Sequence, residues 1–322
     1  MKKIKVGVIG AAGYTGGELL RVLIHHPAVE IEFIKSESNS GKPVIDIHAD
    51  LIGETDLSFS ADHRYNIDVL FLCSGHGQSK QFLEQNSIPD GVKVIDLSHD
   101  FRPRGNDLGF IYGLPEINKE QIKQAQRIAN PGCFATCLQL GLLPLASKQL
   151  LKEVHIHAIT GSTGAGQRPT EFTHFSWRNN NISVYKAFQH QHLNEITESV
   201  QSLQNDFEQP INFIPVRGDF TRGIFASMYL NFEGTLEEAT SIYESFYSGS
   251  PFVFVSKTNP SLKQVVNTNK GIVYLEKQGE KLLIISMIDN LLKGASGQAV
   301  QNMNLMFGLE EGLGLKLKAS TF

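Results

Sequence analysis

An apolar run from Ile4 to Ile9 ends directly on Gly10-Ala11-Ala12-Gly13-Tyr14-Thr15-Gly16, and an apolar helical pattern follows. A buried strand, a glycine turn and a helix start in that order form the opening unit of a parallel α/β sheet. The N–H groups and dipole of such a helix start hold a pyrophosphate. The spacing is G-x-x-G-x-x-G, not the commoner G-x-G-x-x-G, so the placement between strand and helix carries more weight than the spacing. Apolar residues at 19, 20, 22, 23 and 24 place the helix over Glu18 to His26, stopped by Pro27.

The alternation continues. Glu30 to Ile34, Ile67 to Cys73 and Val92 to Leu97 read as strands, with a polar helix from Gln78 to Gln85. Strands alternating with helices imply a Rossmann-like, doubly wound, mostly parallel sheet. Beyond this half, Val154 to Ile159 is strand-like, and two apolar runs between Asn212 and Phe232 flank Arg217-Gly218-Asp219. Ile272 to Ile288 reads as a hairpin turning near Gln278-Gly279. With helices over His192 to Phe207 and Leu236 to Tyr247, this half is α+β with a mixed or antiparallel sheet. A last helix spans Leu291 to Phe307, around Gly294 and Gly297. A length of 322 residues suits two domains. The expected division is 1–132 with 296–322 for the dinucleotide, and 133–295 for substrate and oligomerisation.

Charge narrows the function classes. Lys and Arg number 29 against 33 Asp and Glu, a net charge of −4, so a nucleic-acid binder's basic surplus is missing. Apolar runs stay well short of the ~18 residues of a membrane span. The lysines at 2, 3 and 5 lead into a stretch broken by Gly7, Gly10 and Gly13, unlike a signal peptide. The 3 cysteines, Cys73, Cys133 and Cys137, form no disulfide framework and suit a reducing compartment. A cytoplasmic enzyme acting on a small molecule is expected, with neither nucleic acid nor membrane as partner.

Asn130-Pro131-Gly132-Cys133-Phe134-Ala135-Thr136 is the most informative stretch. Pro-Gly breaks the chain, and an apolar helix runs on to Leu143, stopping at Pro144. Cys133 therefore sits near a helix N-terminus, where the dipole and N–H groups favour thiolate and make a nucleophile. Cys137 and Cys73 read as small space-filling hydrophobes. The single C-x-x-x-C pair lacks the second pair of a structural zinc site, so no metal is expected. His190-Gln191-His192, followed by Glu195, offers an acid/base partner, while His155 and His157 alternate on a strand towards solvent or a polar interface. After the second strand, Lys35-Ser36-Glu37-Ser38-Asn39-Ser40-Gly41-Lys42 offers hydroxyls and two lysines for a 2′-phosphate. Glu37 suits a ribose 2′-OH instead; the balance favours NADP(H).

Together these residues resemble the N-acyl-γ-glutamyl-phosphate reductases of arginine biosynthesis, in the semialdehyde dehydrogenase superfamily, and more distantly the aspartate-semialdehyde dehydrogenases. The likeness spans nearly the whole chain. It runs through the glycine loop to Glu18-Leu19, Ser36-x-Ser38-Asn39-x-Gly41-Lys42, Asp96-Leu97-Ser98-x-Asp100-Phe101-Arg102 and Tyr112-Gly113-Leu114-Pro115-Glu116. The cysteine stretch follows, then Gly164-Ala165-Gly166, Pro169-Thr170 and His190-x-His192-x-x-Glu195-Ile196. It ends on the long segment from Asp289-Asn290-Leu291 through Lys293-Gly294, Gly297-Gln298 and Met303-Asn304.

The resemblance implies NADPH-dependent reduction of an acyl phosphate to a semialdehyde through a thioester on Cys133, with phosphate released. It assigns acid/base work to His192 or His190, which the spacing does not separate, with Glu195 orienting the imidazole. Gly10, Gly13, Tyr14, Thr15, Gly16, Ser36, Ser38 and Gln298 would contact the cofactor. Arg102 and Arg222 would bind substrate carboxylate or phosphate, and the protein would be a homodimer or homotetramer. The sequence departs from the family at Cys137, at Cys73-Ser74-Gly75-His76-Gly77, and in Ile214-Pro215-Val216-Arg217-Gly218-Asp219-Phe220, ahead of the retained Arg222-Gly223-Ile224. The last departure leaves the acyl group open between acetyl and another such as succinyl. Aspartate-semialdehyde or a carrier-linked compound as substrate, and a non-catalytic NADP sensor, are the rival readings.

Overall fold

The computed structural model describes residues 2–75, 77–103, 105–106 and 108–320; His76 lies outside them. The chain divides into two units, Met1–Gly132 with Ala295–Lys316, and Cys133–Gly294 with Leu317–Phe322.

The first unit is built on β1 (Ile4–Ile9), α1 (Tyr14–Leu23), β2 (Val29–Lys35), β3 (Val69–Leu72), α2 (Gln78–Gln85), β4 (Lys93–Asp96), β5 (Ile111–Tyr112), α3 (Pro115–Gln124) and β6 (Arg127–Ala129). Its strands pair in parallel in the order β2-β1-β3-β4-β6-β5. The chain leaves β1 on one side for β2 and returns past it to β3. That reversal opens a crevice at the strands' carboxyl ends. Helix α1 starts at Tyr14, four residues ahead of the expected Glu18, because Gly13 takes an extended conformation and caps it. Elements β5, α3 and β6 escape the sequence reading. Two of them are very short strands, and α3 is mostly polar and interrupted at Asn118.

Ile9, Phe33, Leu70, Leu72 and Val94 share a core with Phe101 and Phe110, whose rings stack 4.3 Å apart. The last helix, Gly297–Met306, is buried along its whole length and packs on α1 and α3. Its polar side chains serve loop backbone: Asn302 Nδ2 donates to Gly113 O at 2.9 Å and Asn304 Nδ2 to Leu313 O at 2.9 Å. Just before it, Ser296 Oγ donates to Thr15 O at 2.7 Å. Buried amides that meet carbonyls offset the desolvation that burial imposes.

The second unit runs α4 (Cys133–Ala146), β7 (Val154–Thr160), α5 (Phe175–Arg178), β8 (Ser183–Val184), α6 (His192–Leu203), β9 (Ile211–Arg217), β10 (Ile224–Asn231), α7 (Leu236–Tyr247), β11 (Val253–Ser256), β12 (Gly271–Gln278) and β13 (Lys281–Ile288). The last helix is then α8. The sheet order is β11-β12-β13-β10-β7-β9-β8, with mixed pairing: β11 with β12 and β7 with β9 are parallel, the rest antiparallel. Alternation decides the faces. Ile224, Ala226, Met228 and Leu230 of β10 are buried, while Tyr229 between them is exposed. Helices α4, α6 and α7 pack on the sheet and on one another.

Helix α4 corrects the sequence reading: it passes through Pro144 to Ala146. Proline removes the N–H that would meet the carbonyl of Leu140. The Tyr247 hydroxyl donates to Leu140 O and the Tyr243 hydroxyl to Gly141 O, so α7 supplies the donors. The C-terminal stretch also differs from the expected division. From Leu317 it groups with the second unit, where Ser320 N bonds Val266 O at 3.2 Å and Asn267 Nδ2 donates to Ser320 Oγ at 2.6 Å.

Candidate active site

In the first unit the glycine turn sits at the carboxyl end of β1. Gly10 has φ +78, and a Cβ there would stand 2.7 Å from Ser74 N and 2.8 Å from Cys73 C, so only glycine fits. His48 Nε2 bonds Ala11 O at 2.8 Å and fixes the turn from behind. A crevice of about 590 Å³ opens beside it, lined by Gly10, Lys35, Ser36, Ser38, Ser74 and Gln78 among others. Asn39 Nδ2 donates to Ser36 Oγ at 3.3 Å and Ser38 Oγ at 3.2 Å, and Lys42 Nζ to Asn39 Oδ1 at 3.3 Å. Lys35 pairs with Glu37 at 3.6 Å. Gly10, Ser36 and Ser38 thus share one wall; Gly13, Tyr14, Thr15 and Gly16 form the cap and first turn of α1. Gln298 is buried inside α8 and is not on that wall.

In the second unit Cys133 is the first residue of α4 and half-buried, at the helix end whose dipole favours a thiolate. His192 opens α6, which packs on α4. His192 Nε2 lies 3.9 Å from Glu195 Oε1, one turn along the same helix. The rings of His190 and His192 meet edge to face at 4.7 Å. His190 also touches Phe134 at 5.4 Å, Phe213 at 5.5 Å and Tyr185 at 5.8 Å. This burial, with the charges of Lys186 and Arg217, pulls its pKa down to about 4, against the opposing pull of Glu195. Its Nδ1 accepts the His192 N–H at 3.3 Å, so the nitrogen is used as an acceptor.

Burial pushes the Tyr185 hydroxyl up to about 12, with Cys133 adding to the rise and Arg217 opposing it. The Arg217 guanidinium lies 4.7 Å from the Tyr185 ring centre. Cys137 is fully buried and pushed up to about 12, and buried Cys73 is pushed further, well out of the thiolate range. His155 stacks on Tyr229 at 5.0 Å, on the sheet surface.

The two arginines expected to meet substrate are both engaged. Arg222 forms a two-pronged pair with Asp289, Nε to Oδ2 at 3.0 Å and Nη2 to Oδ1 at 3.1 Å. Asp289 also accepts from Asn267 N at 2.7 Å, Leu291 N at 2.8 Å and Leu292 N at 3.0 Å. It thereby orders the π-helical turn Leu292–Ser296, whose Gly294 lies against Cys133. Arg102, in the first unit, donates to Asn130 O at 2.9 Å and Leu97 O at 3.0 Å and braces the strand end before Pro131. Sequence reasoning gave Arg217, Asp289 and Gly294 no individual role and did not single out Tyr185. The departure at 214–220 and the long motif starting at Asp289 were the available signals.

The domain model for the semialdehyde dehydrogenase NAD binding domain matches residues 5–125, and that for the semialdehyde dehydrogenase dimerisation domain matches residues 133–290. The N-acetyl-gamma-glutamyl-phosphate reductase of Azobacteroides pseudotrichonymphae is 62% identical over 99% of this chain and 100% of its own. This chain belongs to the N-acetyl-gamma-glutamyl-phosphate reductase family. The namesake of Parabacteroides distasonis is 57% identical over the same shares. Among solved structures, aspartate semialdehyde dehydrogenase II of Vibrio cholerae has the same fold, with a TM-score of 0.75 at 17% identity, covering 96% of this chain and 99% of its own. As a member of this reductase family the chain takes a nicotinamide cofactor and acts on a small molecule. Among the described residues no helix is long and apolar enough to cross a membrane.

Proposed function

We propose that this chain reduces N-acetyl-γ-glutamyl phosphate to N-acetylglutamate semialdehyde with NADPH, releasing phosphate, as a step of arginine biosynthesis. The observation that carries this is the setting of Cys133 at the N-terminus of α4, where the next residue, Phe134, packs on a neutral His190 and on His192, itself paired with Glu195. The helix end favours the thiolate, and its N–H groups can hold the oxyanion that forms when the thiolate attacks the acyl carbonyl. Phosphate leaves and a thioester remains on Cys133. The nicotinamide, when bound, supplies the hydride that brings this thioester to the aldehyde level. His192, as imidazolium held by Glu195, gives its proton to the oxyanion so formed and takes it back as the thiohemiacetal releases the semialdehyde and Cys133 thiolate. The one proton that the net reaction consumes ends on the departing phosphate. His190, neutral at physiological pH, serves as the acceptor that fixes His192.

Gly10 through Gly16 would hold the pyrophosphate, and Ser36, Ser38 and Lys42 the 2′-phosphate of NADP. The shared wall of the crevice supports this, and the Lys35–Glu37 pair leaves the acid partly neutralised. The unit from Met1 would thus be the dinucleotide domain, and the unit from Cys133 the substrate and oligomerisation domain. Exposed Tyr229 and Phe254 on the seven-stranded sheet support pairing of two copies there, as a dimer or a dimer of dimers. A cytoplasmic setting suits an intact thiolate.

The test is Cys133→Ser in phosphate-dependent reduction of NADP⁺ by the semialdehyde, where loss on the order of 10³-fold or more is expected. Near-normal activity would sink the covalent mechanism. Running the wild type with NAD⁺ beside NADP⁺ settles the cofactor preference. A substrate with another N-acyl group, succinyl above all, is the second reading, and Arg217 in the departing 214–220 segment is the observation that favours it.

A further inference from the structure

The substrate in the reading above is an anion twice over, yet the two arginines expected to meet it are committed elsewhere, Arg222 to Asp289 and Arg102 to backbone carbonyls. Arg217 is different. It ends β9, half-buried, and its guanidinium lies over the Tyr185 ring, 4.7 Å from the ring centre. Among the described residues no carboxylate lies within ion-pair distance of it; Asp219, two residues on, accepts the Asn180 N–H instead.

The setting of Arg217 is rigid. Arg178, buried behind it, donates to Arg217 O at 2.9 Å, Asn181 O at 3.0 Å and Ser183 Oγ at 3.0 Å, and so clamps the end of β9 to β8. Lys186 follows Tyr185 in a left-handed conformation at φ 47, and its Nζ donates to Gln191 Oε1 at 3.0 Å, again without a carboxylate. Both cations bear on buried His190, and Tyr185 lies within the electrostatic reach of Cys133. In a chain with 33 Asp and Glu against 29 Lys and Arg, two cations with no carboxylate among the described residues in ion-pair distance amount to a place for an anion.

We propose that Arg217, braced by Tyr185 and assisted by Lys186, binds a carboxylate of the substrate and thereby sets how the acyl carbonyl is presented to Cys133. A planar guanidinium takes a carboxylate through two parallel hydrogen bonds, which orients as well as attracts. The proposal rests on the reductase reading. The carboxylate has two sources: the glutamyl α-carboxylate, present whatever the acyl group, or one at the end of a dicarboxylic acyl group.

The experiment compares wild type, Arg217→Met and Arg217→Lys with N-acetyl and N-succinyl glutamate semialdehyde in the phosphate-dependent direction. Arg217→Met is expected to raise KM roughly 10- to 100-fold with a much smaller change in kcat, and Arg217→Lys to recover part of it. A rise with both substrates assigns the α-carboxylate; a rise confined to the N-succinyl compound assigns the acyl arm. An unchanged KM with both overturns the proposal, as does an equal rise with 4-acetamidobutanal, which bears neither carboxylate.

A second readout needs no turnover. Wild-type Cys133 should react faster with anionic iodoacetate, relative to neutral iodoacetamide, than it does in Arg217→Met. Equal ratios in the two proteins overturn the proposal even if the wild type proves inactive as a reductase, so the two failures stay distinguishable. Melting temperatures and NADPH affinity identify a variant that has lost its fold, and Arg217→Lys then carries the comparison.

Discussion

A Cβ on Gly294 would stand 2.8 Å from Cys133 Cβ and 3.2 Å from Cys133 Cα. Cys133, the proposed nucleophile, is therefore seated against a bare stretch of backbone, and that backbone is held by the Gly294 N–H to Asp289 O bond at 2.9 Å. Gly294→Ala should push the start of α4 aside. The expected result is a fall in kcat of roughly 100-fold, since small misplacement of a reacting group is enough for that. NADPH affinity, measured by fluorescence titration, should stay within a few-fold of wild type. A kcat within two-fold of wild type would show that Cys133 is not held from this side.

His190 makes stability depend on pH. Its pKa falls from the ordinary 6.5 to about 4 in the folded protein, because burial and two nearby cations disfavour the charged form. Between those pH values the unfolded chain binds a proton that the folded one refuses. The contribution is therefore fully present above pH 6.5 and is lost as pH falls towards 4, by up to about 3 kcal/mol. Urea midpoints at pH 7 and pH 4.5 should drop less in His190→Gln than in wild type. Parallel losses in the two proteins would remove His190 from the account.

The Tyr247 hydroxyl stands in for the N–H that Pro144 lacks. Tyr247→Phe should lower stability by about 1–2 kcal/mol, as expected when a buried carbonyl loses its donor. In a Pro144→Ala background the new amide can meet Leu140 O, so the same substitution should cost less. The difference is read as non-additivity in urea unfolding. Additive losses would mean that the hydroxyl and the proline are unconnected.

Much of this site could be read without coordinates. The turn at Gly10 is a local matter: a strand, a glycine and a helix start are neighbours in sequence, and their order implies a positive φ and a close backbone approach. The same holds for Cys133, where Pro131-Gly132 ends one element and an apolar pattern starts the next. Helix α4 shows where local reading stops. Pro144 is a helix breaker unless something else satisfies Leu140, and that partner, Tyr247, lies 107 residues further on. Short elements such as Ile111–Tyr112 hold too few residues for any period to show.

Residue type and spacing along the chain therefore determined the strand–turn–helix opening, the two-part architecture and the place of Cys133 at a helix start, because each depends on conformational preferences within a few residues. The partners of charged groups were a different matter. Arg102, Arg217 and Arg222 are chemically alike, and nothing in their immediate neighbours separates them. Only folding brings Asp289 to Arg222 across 67 residues, turns Arg102 onto the carbonyls of Leu97 and Asn130, and leaves Arg217 over Tyr185 with no carboxylate among the described residues in ion-pair reach. A Coulomb interaction depends on distance through space and on how much water is excluded, and both are set by the packing of residues remote in sequence.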